Sequence, residues 1–210
     1  QAWTKYWVYL IIIYGITTIL ILAPQWFPLV AMLITVIGLY ELIRGGSRLP
    51  FRGTNIYILV ISILIFGALS SGFVLFSFMS NTDLLFAFFV VASFDAFSQL
   101  MGQLLGKRFI FSKISPSKTL EGLVLGLLLS IATGGLAHFV ADFSFWQAIL
   151  IAAAISVFSL IGDLAASAFK RWCGIKDFSS LIPGHGGVLD RFDSLLVGGS
   201  AMYLISWLFL

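Results

Sequence analysis

The segment from residue 163 to residue 193 carries the residue types that phosphate and metal chemistry needs. It contains four of the nine acidic and four of the twelve basic residues of a chain that is 60% hydrophobic and only 10% charged. Each charge buried in a membrane protein costs free energy, so a cluster of this kind indicates function. Asp can hold a hard cation, Lys and Arg bind phosphate, and the Pro-Gly-His-Gly-Gly run at 183–187 lets backbone amides approach an anion. The segment therefore indicates a metal-dependent site for nucleotide phosphates.

The composition excludes several classes of protein. A chain with this hydrophobic content is not a soluble globule. Its net charge of +3 is small and scattered, which excludes a nucleic-acid partner. The single cysteine, Cys173, cannot form a disulfide within the chain and has no metal-ligand spacing around it. The chain is therefore expected to be an integral membrane protein.

The apolar runs predict seven transmembrane helices, since about 20 apolar residues cross a bilayer as a helix. Pro24 and Pro28 divide the first long run into two. We expect an all-α, polytopic helical bundle that forms a single transmembrane domain over 1–210. Its N-terminal spans occupy 1–80, and its catalytic spans and loops occupy 84–210. The predicted helices lie at about 6–23, 27–43, 55–80, 84–106, 122–141, 145–170 and 194–210.

The positions of the charges agree with seven spans. This count places every Lys and Arg at one side of the membrane, and only Asp83 and Asp142 at the other. The positive-inside rule then predicts a cytoplasmic N-terminus and cytoplasmic basic loops. We expect a bacterial inner membrane, or an organelle membrane in a eukaryote. The basic residues are Lys5, Arg44, Arg48, Arg52, Lys107, Arg108, Lys113, Lys118, Lys170, Arg171, Lys176 and Arg191.

Two predicted spans carry polar stripes at helical spacing. A polar face does not point at lipid, so the two stripes are expected to form a cleft with an apolar rim, which suits a substrate that is half lipid. The alternative for Asp95 is an interhelical hydrogen bond. The stripe of span four is Asp95, Ser98, Gln99, Gly102 and Gly106, and that of span six is Ser156, Ser159, Asp163, Ser167 and Lys170.

Two loops on the basic side complete the candidate site. Residues 115–122 read Ser-Pro-Ser-Lys-Thr-Leu-Glu-Gly just before a helix start, where hydroxyls, a lysine and free amides can cradle a phosphate. Nonspecific attraction to anionic lipid headgroups is the alternative for this loop. Asp190 and Asp193 flank Arg191 and can share one site on a helical turn. Salt bridges among these neighbours are the alternative for that trio.

These motifs resemble those of phosphatidate cytidylyltransferases. The similarity rests on Ser-Ala-Phe-Lys-Arg at 167–171, Lys-Asp at 176–177 and the run from Ile182 to Asp193, together with Asp95 and residues 115–122. The resemblance implies transfer of CMP from CTP to phosphatidic acid in phospholipid synthesis, giving CDP-diacylglycerol and pyrophosphate. It also implies a metal centre built on Asp163 and Asp190.

With the resemblance, each candidate residue receives an expected role. We expect Mg²⁺, and possible room for a second cation, with CTP, phosphatidic acid and the bilayer as partners and a homodimer as the possible assembly. The expected metal ligands are Asp163, Asp190 and Asp193. These three are expected to act in catalysis with Lys170, Lys176 and His185. The expected substrate-binding residues are Asp95, Ser115, Ser117, Lys118, Thr119, Glu121, Ser167, Arg171, Gly184, Gly186, Gly187 and Arg191.

Two other functions stay open at this point. CTP-dependent kinases of dolichol, phytol and diacylglycerol share a similar glycine-rich segment, but they transfer the γ-phosphate. Residues 115–122 and Asp95 favour the cytidylyltransferase. A small ion-coupled transporter using Asp95 and Asp163 is the less favoured alternative, because we find no matching sequence halves.

Overall fold

The computed structural model describes residues 2–50, 52–182 and 186–209, with side chains from residue 10 onward. Within these residues the chain forms seven α-helices and no strand, which confirms the predicted all-α bundle. A short 3₁₀ turn at Pro24–Trp26 separates the first two helices. The helices are α1 Ala2–Leu22, α2 Phe27–Gly46, α3 Gly53–Phe76, α4 Asn81–Leu105, α5 Leu120–Ala137, α6 Phe145–Trp172 and α7 Leu189–Phe209.

The helices have the length and composition of membrane spans. Among the described residues, α2 with its preceding turn and α3 through α7 are long and apolar enough to cross a bilayer, and α1 contributes a shorter apolar stretch, Leu10–Leu22. Large apolar side chains such as Leu64, Trp146 and Leu150 cover the outer surface. Lipid tails can solvate such side chains, whereas water cannot. The chain is therefore an integral membrane protein.

Local signals start several of these helices. Ser80 Oγ accepts a hydrogen bond from Asp83 N at the start of α4. Ser144 and Gln147 form a reciprocal capping box at the start of α6. Each of these bonds satisfies an amide that would otherwise lack a partner in the first helical turn.

Helix α7 begins at Leu189 rather than at the predicted residue 194. This correction places Asp190, Arg191 and Asp193 inside the first turns of the helix. The prediction started the span where the charges stop. In the structure, the carboxylate of Glu41 in α2 binds the amides of Val188 and Leu189, and the helix can therefore start earlier.

Helix α7 lies at the centre of the bundle. It contacts α2, α3, α4 and α6, and 56% of its apolar span is buried, compared with 17% for α3. Small residues make this central position possible. A Cβ atom on Gly199 would lie 2.8 Å from Phe76 Cδ1 and 3.0 Å from Phe73 Cδ2. The helix that carries the Asp190 and Asp193 pair is thus fixed on several sides.

The loops that carry the candidate site meet at one end of the bundle. Helices α2, α4 and α6 end there, and α3, α5 and α7 begin there; we call this the charged end. From residue 10 onward, every Lys and Arg lies in these terminal turns or in the loops between them. The one-sided distribution of basic residues expected from the sequence is confirmed for this part of the chain.

Candidate functional site

Three predicted site carboxylates, one each from α4, α6 and α7, lie within electrostatic range of one another near the charged end. Asp163 interacts electrostatically with both Asp95 and Asp193. Ser194 Oγ donates a hydrogen bond to Asp95 Oδ1 at 3.3 Å. Asp95 also lines a cavity of about 60 Å³ whose other walls are mainly apolar residues of α1, α4 and α7. This arrangement places carboxyl groups beside a small, mainly apolar cavity.

The loop between α4 and α5 supplies a cation to this cluster. Lys118 Nζ forms an ion pair with Asp163 Oδ2, and both side chains are partly accessible. Arg171, in the last turn of α6, donates from Nε to the carbonyl oxygen of Ile114 at 3.2 Å. The two contacts hold the loop against the end of α6. Lys118 and Arg171 therefore lie at the predicted site.

Other residues of this loop bind the chain itself. Glu121 Oε2 accepts hydrogen bonds from the amides of Lys107 and Arg108 at 3.0 and 3.1 Å. Thr119 Oγ1 caps α5 by accepting from Gly122 N at 3.2 Å. Thr119 and Glu121 thus close the two ends of the loop, whereas Ser117 is exposed and Ser115 is half-buried. Substrate contacts by these four residues stay a prediction.

A second ion pair joins α6 to α7. Lys170 Nζ donates to Asp190 Oδ1 at 2.6 Å, with side chains that are 12% and 1% exposed. Asp190 Oδ2 accepts from the amides of Phe178 and Gly187, each at 2.8 Å. Both oxygens of Asp190 are therefore used, one by a lysine and the other by the α6–α7 loop.

The glycine-rich run is only partly described. Gly184 and His185 lie outside the described residues, so their predicted roles stay predictions. Gly186 has a φ of +85°, a left-handed conformation that side chains disfavour, and a Cβ there would lie 2.8 Å from Asp190 Oδ2. A Cβ on Gly187 would lie 2.5 and 2.6 Å from the carboxylate oxygens of Glu41. These glycines are needed because carboxylates of the same chain approach the backbone.

The remaining predicted residues differ in accessibility. Lys176 and Arg191 are exposed at the charged end, and Ser167 is buried in α6. Arg191 lies close enough to Asp95 to interact with it electrostatically and lines the same small cavity. An incoming phosphate can therefore reach Lys176 and Arg191 without helix movement.

The predicted cleft between the stripes of α4 and α6 does not continue into the bundle. A Cβ on Gly126 of α5 would lie 2.8 Å from Ser98 Cα, so this part of α4 packs directly on α5. Ser156 Oγ is 2.8 Å from Ser130 Oγ of α5. The helical period predicted the polar faces correctly, but Ser98, which lies nearer the charged end than Asp95, and the deeper Ser156 form helix contacts. The residues of the two stripes that contribute to the site are Asp95, Asp163 and Lys170.

Sequence reasoning missed one carboxylate of this region, Glu41. Its side chain is 1% exposed in α2. Glu41 Oε1 accepts from Ser179 Oγ at 2.5 Å and from Val188 N at 3.0 Å, and Oε2 accepts from Leu189 N at 2.8 Å. The available signal was an acidic residue inside an otherwise apolar predicted span.

The donor chemistry of the site fits Mg²⁺. Of the three carboxylates expected at the metal, Asp163 and Asp190 each pair with a lysine ammonium, and Asp193 interacts electrostatically with Asp163. Across the described residues, no three His, Cys, Asp or Glu side chains surround one point. Mg²⁺ does not need such a cage, since it is commonly held by one or two carboxylates, waters and substrate phosphates. The residues are therefore compatible with an ion that binds together with a nucleotide.

Comparison with known proteins agrees with this arrangement. The model of the family described as "Cytidylyltransferase family" matches residues 46–209. The chain belongs to the cytidylyltransferase family. The match includes both lysine–carboxylate pairs and ends within α7, while Glu41 lies outside it.

Three individual relatives of this chain share one name. Phosphatidate cytidylyltransferases of Staphylococcus haemolyticus, Staphylococcus saprophyticus and Staphylococcus aureus are 42%, 43% and 39% identical to it over 115 residues. Each match covers 54% of this chain and 44% of the relative. The chain therefore spans less than half the length of the curated relatives it matches.

Proposed function

We propose that this protein transfers CMP from CTP to phosphatidic acid, giving CDP-diacylglycerol and pyrophosphate. The observation that carries this proposal is the ion pair between Lys118 of the 115–122 loop and Asp163, which lies within electrostatic range of Asp95 in α4 and Asp193 in α7. Paired cations and carboxylates at the edge of a bilayer suit a reaction between a water-soluble nucleotide and a lipid phosphate. The names of the staphylococcal relatives support the same substrate class.

The proposed reaction needs no covalent intermediate on the protein. A phosphate oxygen of phosphatidic acid forms a bond to the α-phosphorus of CTP. The bond from that phosphorus to the bridging oxygen of the β-phosphate breaks, and pyrophosphate leaves with the electron pair. The protein's task is to hold two anionic reactants together and to offset the charge that develops on the leaving group.

The basic residues of the charged end are the proposed phosphate contacts. Lys118 and Lys170 each bind a carboxylate and would exchange that partner for a phosphate oxygen when the nucleotide enters. Arg171 holds the α4–α5 loop in place beside them. The exposed side chains of Lys176 and Arg191 complete the set.

Asp163 and Asp190, with Asp193 beside them, are the proposed holders of Mg²⁺. The bound ion would supply charge neutralisation at the transferring phosphate and at pyrophosphate. When their lysines move to phosphate oxygens, the carboxylates are left with unpaired negative charge. The movement of the lysines would therefore free them for the phosphates and free the carboxylates for Mg²⁺.

We further propose that the charged end faces the cytoplasm, where CTP is made. The one-sided distribution of Lys and Arg supports this orientation. The homodimer expected from the sequence stays a prediction, which cross-linking in native membranes would test.

Labelled CTP tests the proposed reaction directly. With the full chain in lipid nanodiscs, α-labelled CTP and phosphatidic acid, the label should enter lipid and pyrophosphate should be the coproduct. Diacylglycerol in place of phosphatidic acid should abolish the transfer. Entry of γ-label into an alcohol lipid, with release of CDP, would instead establish a lipid kinase.

A further inference from the structure

We propose that Glu41 is a positioning residue that sets the first turn of α7 for the transfer reaction. The proposal rests on the proposed function, since Asp190 lies in that turn and Asp193 directly follows it. No predicted motif includes Glu41, and it lies before the matched family region. Glu41 nevertheless contacts both the α6–α7 loop and the start of α7.

The contacts of Glu41 replace a missing helix cap. A helix usually begins with a Ser, Thr, Asp or Asn whose side chain accepts from its own first amides. The residues before α7 are Gly187 and Val188, whose side chains have no acceptor. Glu41 provides the acceptor from α2, with Oε1 at 3.0 Å from Val188 N and Oε2 at 2.8 Å from Leu189 N.

A second carboxylate, that of Asp190, binds the amide one residue before Val188. Asp190 Oδ2 accepts from Gly187 N at 2.8 Å. The amides of residues 187, 188 and 189 are thus all bound by carboxylates of the same chain. A helix N-terminus is often a phosphate site because its free amides point outward. Here the amides of residues 187–189 are used, so they are not free to bind the phosphates of a nucleotide.

Because Glu41 is buried, its carboxylate depends on these hydrogen bonds. Placing a carboxylate in a membrane-embedded protein is costly unless hydrogen bonds compensate it. Glu41 is 1% exposed and accepts three bonds, from Val188 N just before α7, from Leu189 N at its start, and from Ser179 Oγ. A carboxamide has the same shape, but its NH₂ group would face an amide donor. Glu41→Gln should therefore break one of the two bonds to the amides of Val188 and Leu189 while keeping the volume of the side chain.

The test compares Glu41→Gln with Ser179→Ala and Thr35→Val. Ser179→Ala removes the hydroxyl donor of the α6–α7 loop and leaves the bonds of Glu41 to Val188 N and Leu189 N. Thr35→Val is the matched control on α2, because Thr35 Oγ1 is buried without a hydrogen-bond partner. For each full chain in nanodiscs, two quantities are measured: transfer of α-label from CTP to phosphatidic acid, and hydrogen–deuterium exchange by mass spectrometry.

Glu41→Gln should lower kcat by about 10- to 100-fold, the range expected when reacting groups are misplaced by about 1 Å. The KM for phosphatidic acid should stay within about twofold, because no bond to the lipid is removed. Exchange should rise about tenfold or more in peptides covering 187–192 and stay unchanged in α4 and α5. Ser179→Ala should change kcat less than Glu41→Gln, and Thr35→Val should match the wild type in both measurements.

Wild-type kcat in Glu41→Gln would overturn the inference. So would faster exchange spread evenly over the chain, since that would indicate a general loss of stability. A wild-type chain that transfers no label would overturn the proposed function itself, and the local exchange result would then decide separately whether Glu41 anchors α7.

Discussion

Lys170 and Asp190 form a buried ion pair between the last turn of α6 and the first turn of α7, with Nζ 2.6 Å from Oδ1. Removing one partner of such a pair leaves an uncompensated buried charge, which costs about 3–5 kcal/mol. Lys170→Met should therefore lower the free energy of unfolding in detergent by about that amount. The double variant with Asp190→Asn should lose less than the sum of the single variants, with a coupling of about 0.5–3 kcal/mol. Strict additivity would contradict this prediction.

Asp163→Asn should lower kcat for CMP transfer by about 100-fold or more while the protein stays folded, because Asp163 both pairs with Lys118 and is a proposed metal ligand. The control is Asp142→Asn, which changes an exposed carboxylate in the loop between α5 and α6, away from the charged end. Label transfer at several Mg²⁺ concentrations provides the measurement. Near-normal turnover of Asp163→Asn at low Mg²⁺ would exclude this role.

Gly126→Ala should destabilise the protein by about 1–3 kcal/mol through overpacking. The added Cβ would lie 2.7 Å from Ser98 Cβ and 2.8 Å from Ser98 Cα, and backbone atoms of α4 cannot simply rotate away. Gly67→Ala is the matched control, since nothing lies within 4 Å of its added Cβ and alanine favours a helix. Unfolding in detergent should separate the two variants. Equal stability would show that α4 and α5 can move apart at no cost.

Cys173 should resist alkylation at neutral pH. It is 7% exposed, and burial raises the pKa of its thiol to about 11, against a smaller opposing effect from Arg48. Only the thiolate reacts, so the rate with iodoacetamide should keep increasing with pH until about 11. An exposed cysteine introduced as Ser180→Cys in a Cys173→Ser background should instead reach its half-maximal alkylation rate at about pH 8.5. A half-maximal rate near the same pH for Cys173 would contradict the prediction.

Impermeant thiol reagents test the orientation of the bundle. In a Cys173→Ser background, single cysteines at the exposed positions Ser47, Ser117 and Ser180 should be protected from a reagent applied outside the cell. A cysteine at exposed Asn81, at the opposite end, should be labelled. The basis is the confinement of Lys and Arg to the charged end. External labelling at Ser117→Cys would reverse the proposed topology.

The helix count could be predicted because local chemistry determines it. Pro24 and Pro28 separate α1 from α2, and long apolar runs mark the other helices. The start of α7 could not be predicted in this way. Its cap is Glu41, a residue 147 positions before Val188, and no local pattern contains that partner. The prediction therefore started α7 at the first uncharged residues instead of at the anchored amides.

In the candidate site too, local sequence predicts some features and tertiary contacts decide the others. The spacing of Asp95, Ser98 and Gly102 correctly predicts a shared polar face, since helical period alone decides that. It does not predict which neighbour the face contacts. Gly122 and Gly126 of α5 bring that helix against Ser98, whereas Asp95 reaches Ser194 of α7. Tertiary contacts thus separate a packing position from a site position on one stripe.

The glycine contacts between helices also determine which parts of the protein can move. At Gly126 α5 touches the backbone of α4, and a Cβ on Gly162 of α6 would lie 2.8 Å from the carbonyl oxygen of Asp193 in α7. Helices in such close contact slide past one another only with clashes, so α4 with α5 and α6 with α7 form two rigid pairs. We therefore expect the turnover cycle to proceed by swinging of Lys118 and Lys170 and by motion of their loops. Such movements take nanoseconds to microseconds, well below the time that rearranging whole helices requires.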